Sequence, residues 1–218
     1  MIIDIISDTI CPWCFVGKRR LERALSLAPP SDLEITWHPF QLNPDMPAEG
    51  MDRREYLRRK FGDSRGSGAY DAIREAGSGE GIEFNFEGIV RTPNTIDSHR
   101  MIRFALDYGL QDAAVESLFN AYFIEARDIS NRRELLDVGA LAGLERGPLA
   151  DYLEGEDGSA EVANENQMAR RTGIQGVPCF ILDRKYVISG AQSPDLFVQA
   201  FELIERGDAS VGEEVPEH

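Results

Sequence analysis

The sequence predicts an α/β fold with a large all-helical insertion. Three features carry that expectation. Short apolar runs of strand length lie near both ends: Ile2-Ile3-Asp4-Ile5-Ile6 and Leu33 to His38 at the start, Cys179-Phe180-Ile181-Leu182 and Tyr186-Val187-Ile188 at the end. The stretch between them, about 48–157, shows mostly helical periodicity. Two cysteines separated by two residues, Cys11-Pro12-Trp13-Cys14, sit where the first strand gives way to the first helix.

Taken in order, residues 2–6 read as a buried strand, and Asp8-Thr9 as the polar approach to a helix. From Phe15 to about Ala28, Val16, Leu21, Ala24 and Leu25 mark an apolar stripe, which leaves Lys18, Arg19, Arg20, Glu22 and Arg23 in solvent. Pro29-Pro30 stops that helix. Leu33, Ile35 and Trp37 alternate with polar residues as a second strand, and 39–47 is proline-rich and non-helical. Helices are expected near Asp52–Phe61 and Tyr70–Ala76. Ile82–Phe86 fits an extended loop as readily as a strand. Pro93-Asn94-Thr95 supplies cap chemistry for a helix to about Tyr108, with His99 as one exposed histidine on it. Asp112–Ala126 places Val115, Leu118, Phe119, Tyr122 and Phe123 on one face. Asn131 with Glu134 resembles a capping box opening a helix to about Ala142, and Pro148 begins a short one. A helix near 160–172 ends at Gly173, and the last helix, after Pro194, faces inward through Leu196, Phe197, Ala200, Phe201 and Ile204. This gives a discontinuous domain of 1–47 and 158–207, an insertion of 48–157 and an acidic tail of 208–218.

Composition bounds the function. The chain has 218 residues, 42% of them hydrophobic, and a formal charge of −15. Such a chain has no general basic field for nucleic acid. No apolar run reaches the length of a membrane span. Met1 leads straight into a strand, without the basic and apolar regions of a signal peptide, so a cytoplasmic location is expected. In that compartment a cysteine pair is catalytic or redox-sensing more often than structural.

The chemistry of the pair follows from its place. A sulfur at a helix start faces unpaired amides and the positive end of the dipole, which favour the attacking thiolate. A second cysteine one turn on can resolve a mixed disulfide. Pro12 suits a first helical turn, where its missing N–H costs nothing. A metal site needs about four ligands; beyond the pair only Cys179, His38, His99 and His218 are on offer, with no second close pair, so no metal is expected. The late stretch Gly176-Val177-Pro178-Cys179 is a Val-Pro entering an apolar strand. Its proline is either trans at a strand start or cis and sharply turned.

These elements together resemble the thioredoxin superfamily. Their order, with the helical block inserted, is similar to the DsbA-type oxidoreductases and within them to a FrnE-like branch. The residues that carry the resemblance are Cys11-Pro12-Trp13-Cys14 with Val16-Gly17-Lys18-Arg19, Pro39-Phe40-Gln41-Leu42-Asn43-Pro44, Arg91-Thr92-Pro93-Asn94-Thr95 with His99-Arg100, Gly176-Val177-Pro178, and Ser189-Gly190-Ala191-Gln192. The resemblance implies a nucleophilic Cys11, a resolving Cys14, a substrate-binding cis-proline element at Val177 and Pro178, and a rim shaped by Pro12 and Trp13. Its substrates would be protein or small-molecule disulfides or dithiols, and a homodimer fits the family. Cys179 departs from the pattern, either as a buried strand residue or as the source of an alternative disulfide. The architecture is also similar to kappa-class glutathione transferases and 2-hydroxychromene-2-carboxylate isomerases. Under that reading no cofactor is resident, glutathione is a co-substrate, and Asn43, Val177 and Gln192 are its contacts. Those enzymes usually place serine where this chain has Cys11, and Cys14 favours redox chemistry. A module that binds a partner with its cysteines idle is the non-enzymatic alternative.

Overall fold

The computed structural model describes residues 1–62 and 66–207, with only the backbone for 66–69. The acidic tail expected at 208–218 lies outside the described residues. Four strands form a mixed sheet in the order β2-β1-β5-β6. Strand β1, Ile2–Ser7, runs parallel to β2, Glu34–Pro39, in a register pairing Ile5 with Trp37. On its other side β1 is antiparallel to β5, Cys179–Leu182, which pairs with β6, Tyr186–Ser189. The parallel pair needs a crossover, and α1, Pro12–Leu27, supplies it.

Between β2 and the last helices lies the helical block. It contains α2, Arg53–Phe61; α3, Gly66–Ser78; α4, Ile96–Leu106; α5, Gln111–Phe119; α6, Arg132–Leu141; and α7, Arg146–Glu154. Helices α8, Ser159–Arg171, and α9, Pro194–Arg206, flank the closing hairpin. One hydrophobic core is continuous from the sheet into the block. Phe15 on α1 joins them: its ring stacks on Phe119 at 5.1 Å and meets Phe84 edge-on at 6.1 Å.

On its other side α1 lies unusually close to β5. A Cβ on Gly17 would sit 2.9 Å from Pro178 Cγ and 3.1 Å from Phe180 Cζ. Only a residue without a side chain allows that approach.

Several expectations are corrected. Helix α1 starts at Pro12, not Phe15, so Cys11 is its N-cap and Cys14 lies in its first turn. Lys18 is buried, not solvated: its ammonium sits 3.1 Å from Asp112 and 3.2 Å from Glu116, and also pairs with Glu22. Three carboxylates offset the cost of its burial. His99 is buried too, because α4 packs against the loop after β1. The helix expected to 126 gives way at Asn120–Ile124 to a π-helical turn. The run 82–86 forms no strand; Phe84 and Phe86 both turn inward and stack at 4.8 Å. A two-residue ladder, β3 (Met51–Asp52) with β4 (Arg91–Thr92), was not legible in the sequence. Asn131 accepts from the Arg133 amide as a cap, but Glu134 binds Arg127 instead of closing a capping box. Helix α7 starts at Arg146, with Pro148 inside its first turn.

Gly17→Val is expected to lower stability by about 2 kcal/mol through overpacking. Gly147→Ala, whose Cβ meets nothing within 4 Å, is expected to be neutral or to gain up to ~1 kcal/mol. Urea unfolding of both variants checks this. Equal effects would contradict a close seat for α1.

Candidate active site

Three segments converge where β1 ends. Ser7 leads into a tight turn in which the Cys11 amide donates to the Asp8 carbonyl at 3.0 Å. Cys11 has extended backbone (φ −91°, ψ 111°) and occupies the N-cap of α1, with Pro12 just inside. From across the sheet, Val177 and Pro178 arrive at the start of β5. Their peptide bond is cis. Cys11 Sγ lies 3.4 Å from the Val177 carbonyl oxygen, in hydrogen-bonding contact.

The two cysteines differ in setting. Both are buried, Cys14 at 1% exposure and Cys11 at 5%. Burial, then its hydrogen bond and charge interaction with Cys11, push the Cys14 thiol well above the usual range; contacts to Ser7 and the Asp8 backbone oppose this. Cys14 is therefore held as a protonated thiol behind Cys11. Pro12 and Trp13 between them are half-buried. Cys11, Cys14 and Cys179 are all free.

Cys179 takes the opposite side of the sheet. It packs with Ile6, Phe40 and Ala169, whereas its neighbour Phe180 packs in the cluster holding Cys11 and Cys14. Alternation along β5 separates them. Burial raises its thiol to about 11. These are the surroundings of a buried strand residue.

Two buried groups that sequence reasoning left unassigned support the turn. Asp8 is fully buried; its Oδ2 accepts from the Leu42 amide at 2.7 Å, which pins the 40–46 segment beside the cysteines. Its Oδ1 lies 3.4 Å from His99 Nε2. Thr9 and Ser98 share a hydrogen bond of 2.8 Å. No periodicity reports such contacts, since they join residues some ninety positions apart.

Of the suggested glutathione contacts, Asn43 accepts from the Tyr56 hydroxyl at 3.3 Å. Its Nδ2 is buried without a hydrogen-bond partner among the described residues. Gln192 is exposed and donates to the Ser189 carbonyl at 2.8 Å. His38 lies away from the cysteines, with Nε2 2.9 Å from Asp4 and Nδ1 3.2 Å from Glu165. Among the described residues, no group of three or more His, Cys, Asp or Glu is placed to hold a metal ion. No described helix is long and apolar enough to cross a membrane.

The DSBA-like thioredoxin domain matches residues 2–202. The chain belongs to the DSBA-like thioredoxin domain family. It is therefore a member of a thiol oxidoreductase family with a thioredoxin-like DsbA fold. A "probable DsbA oxidoreductase SCO1869" from Streptomyces coelicolor is 28% identical, with a TM-score of 0.87 over 98% of this chain and 93% of that one. Two further solved structures share the fold at lower identity. A 2-hydroxychromene-2-carboxylate isomerase matches at 16% identity and a TM-score of 0.71, covering 96% of this chain and 98% of its own. The cytosolic disulfide reductase DsbM from Pseudomonas aeruginosa, solved with GSH, matches at 21% and 0.68, covering 94% and 100%.

The bridge at His38 gives a pH test. Burial disfavours its charge, but the hydrogen bonds it donates to Glu165 and Asp4 outweigh this and raise its pKa above 6.5. Glu165 is lowered below 4.5, chiefly by His38. The His38 contribution is thus fully present below about pH 6.5 and lost as pH rises through its folded value. The Glu165 contribution is lost as pH falls through its own depressed value. The stability gap between wild type and His38→Gln is expected to shrink between pH 6 and pH 9 in urea titrations. A gap that stays flat or grows would contradict the charged bridge.

Proposed function

We propose that the protein is a thiol-disulfide oxidoreductase in which Cys11 is the nucleophile and Cys14 the resolving thiol. The observation that carries this reading is the position of Cys11 Sγ, at the N-cap of α1 and 3.4 Å from the Val177 carbonyl. That sulfur sits at the positive end of the helix dipole and beside a backbone able to pair with an extended substrate. Pro12 and Trp13 form the rim, and Val177 and Pro178 the substrate-facing wall.

The Cys11 thiolate attacks one sulfur of a substrate disulfide. A bond forms between Cys11 and that sulfur as the substrate S–S bond breaks, and the other sulfur leaves as a thiolate and takes up a proton. Cys14 then gives up its proton and attacks Cys11 within the mixed disulfide. The second substrate thiol leaves, and a Cys11–Cys14 disulfide remains. Two electrons have passed from protein to substrate. Two molecules of a reduced thiol such as glutathione return them and become a disulfide. Run backward, the cycle oxidises a dithiol; the reduction potentials set the direction. Glutathione is the co-substrate we favour, with Asn43, whose buried amide nitrogen lacks a partner among the described residues, as its contact and Gln192 at the rim. The likeness of the motif set supports reading the chain as one of the FrnE-like branch.

A glutathione-dependent isomerase is the second reading, favoured by the fold shared with the 2-hydroxychromene-2-carboxylate isomerase. The buried Cys14 one turn behind Cys11 opposes it, since isomerisation needs no resolving thiol.

Cys11→Ser is expected to cut disulfide turnover at least ~10²-fold. Cys14→Ser is expected to stall as a mixed disulfide on Cys11, seen as one glutathione adduct by intact mass. Full turnover by Cys14→Ser would contradict the proposal and support the isomerase reading.

A further inference from the structure

Charge is unevenly placed in this acidic chain. Helix α2 carries Arg53, Arg54, Arg58, Arg59 and Lys60 against one carboxylate, Glu55, while the chain as a whole has a formal charge of −15. Arg53 turns inward to Thr92 and Tyr70. Arg54, Arg58, Arg59 and Lys60 are exposed. Among the described residues, the ion pair made by these cations is Arg59 with Glu55.

This helix walls a cleft of about 410 Å³ whose other side is the 42–46 segment. Lys60 donates to the Tyr56 hydroxyl at 3.0 Å, and that hydroxyl donates to Asn43 Oδ1 at 3.3 Å. Asn43 Nδ2 adds a buried donor with no partner among the described residues. The cleft adjoins the cysteines through two hydrogen bonds: the Leu42 amide to Asp8 Oδ2, and the Cys11 amide to the Asp8 carbonyl.

We propose that this cleft docks carboxylates that flank the reactive disulfide, and that the preferred substrates are acidic polypeptides. The inference rests on the thiol-disulfide reading above. Of the α2 cations, Arg59 and Lys60 line the cleft, against one carboxylate in its lining, Asp45, and would receive carboxylates. The net charge of −15 disfavours the approach of an acidic chain in general, so a basic helix beside the cleft favours approach there. From Tyr56 to Lys60, the part of α2 that lines the cleft, the helix rises about 6 Å, the span of roughly two residues of extended peptide. That length suits flanking residues on a polypeptide.

The test compares kcat/KM for four disulfides: an acidic-flanked peptide, the same peptide with basic flanks, oxidised glutathione, and uncharged bis(2-hydroxyethyl) disulfide. At low salt the acidic peptide is expected to exceed the basic one by ~10-fold or more, a ratio that falls toward one near ~1 M salt. In the double variant Arg59→Glu/Lys60→Glu, both exposed positions that line the cleft, the acidic-to-basic ratio is expected to drop to one or below. Turnover of the uncharged disulfide with an acidic-to-basic ratio near one in wild type would overturn this inference and leave the thiol-disulfide reading standing. Oxidised glutathione outpacing the acidic peptide would overturn the polypeptide assignment. Turnover of none of the four would remove both.

Discussion

Helix α1 lies against the start of β5 because residue 17 has no side chain, and much of the site depends on that seat. With Gly17 below 3 Å of Cβ clearance from Pro178, the N-terminus of α1 comes level with Val177. Cys11 then reaches its carbonyl, and Cys14 falls into the core behind it. One turn further round, Phe15 faces the helical block and stacks on Phe119. One short helix thus ties the cysteine pair to both halves of the structure. Movement of either half would be felt at the sulfurs, since packed interiors transmit strain.

Polar groups tie the helical block to the elements of the sheet domain at two places and brace the block itself at a third. Lys18 on α1 is bound by Asp112 and Glu116 from α5. His38 on β2 bridges Asp4 on β1 and Glu165 on α8, and Glu165 also pairs with Arg103 on α4 at 2.8 Å. Arg100, buried on α4, donates to the carbonyls of Tyr152, Leu153 and Gly155 at the end of α7 and to that of Asp157. It satisfies acceptors that a helix end otherwise leaves open. Burying such cations stabilises only when their donors are met, and here they are.

The elements to which the proposal assigns the chemistry were the ones legible in the sequence. A cysteine pair between a strand and a helix, and a Val-Pro before an apolar strand, are local patterns. Their meeting in space follows from the fold that the family shares. Lys18 and His99 were not legible, because hydrophobic periodicity assigns every charged residue to solvent. Both are buried by partners far along the chain, Asp112 and Asp8 respectively. The π-helical turn at Asn120–Ile124 and the inward stacking of Phe84 and Phe86 escaped for the same reason, since tertiary packing overrides local pattern there. The basic run of α2 was plain in the sequence, but its nearness to the cysteines was visible only through Leu42 and Asp8.

The account stands on Cys11 and Cys14 acting as one redox unit, with Cys179 apart on the other side of the sheet. The most direct measurement is a redox titration of the wild-type chain in glutathione buffers. Thiols are trapped at each ratio by acid and alkylation after unfolding, and the bonds are mapped by mass spectrometry. The expected result is a single two-electron transition that forms a Cys11–Cys14 disulfide, with Cys179 alkylated throughout. A chain in which that bond never forms, or in which Cys179 enters the disulfide, would contradict it.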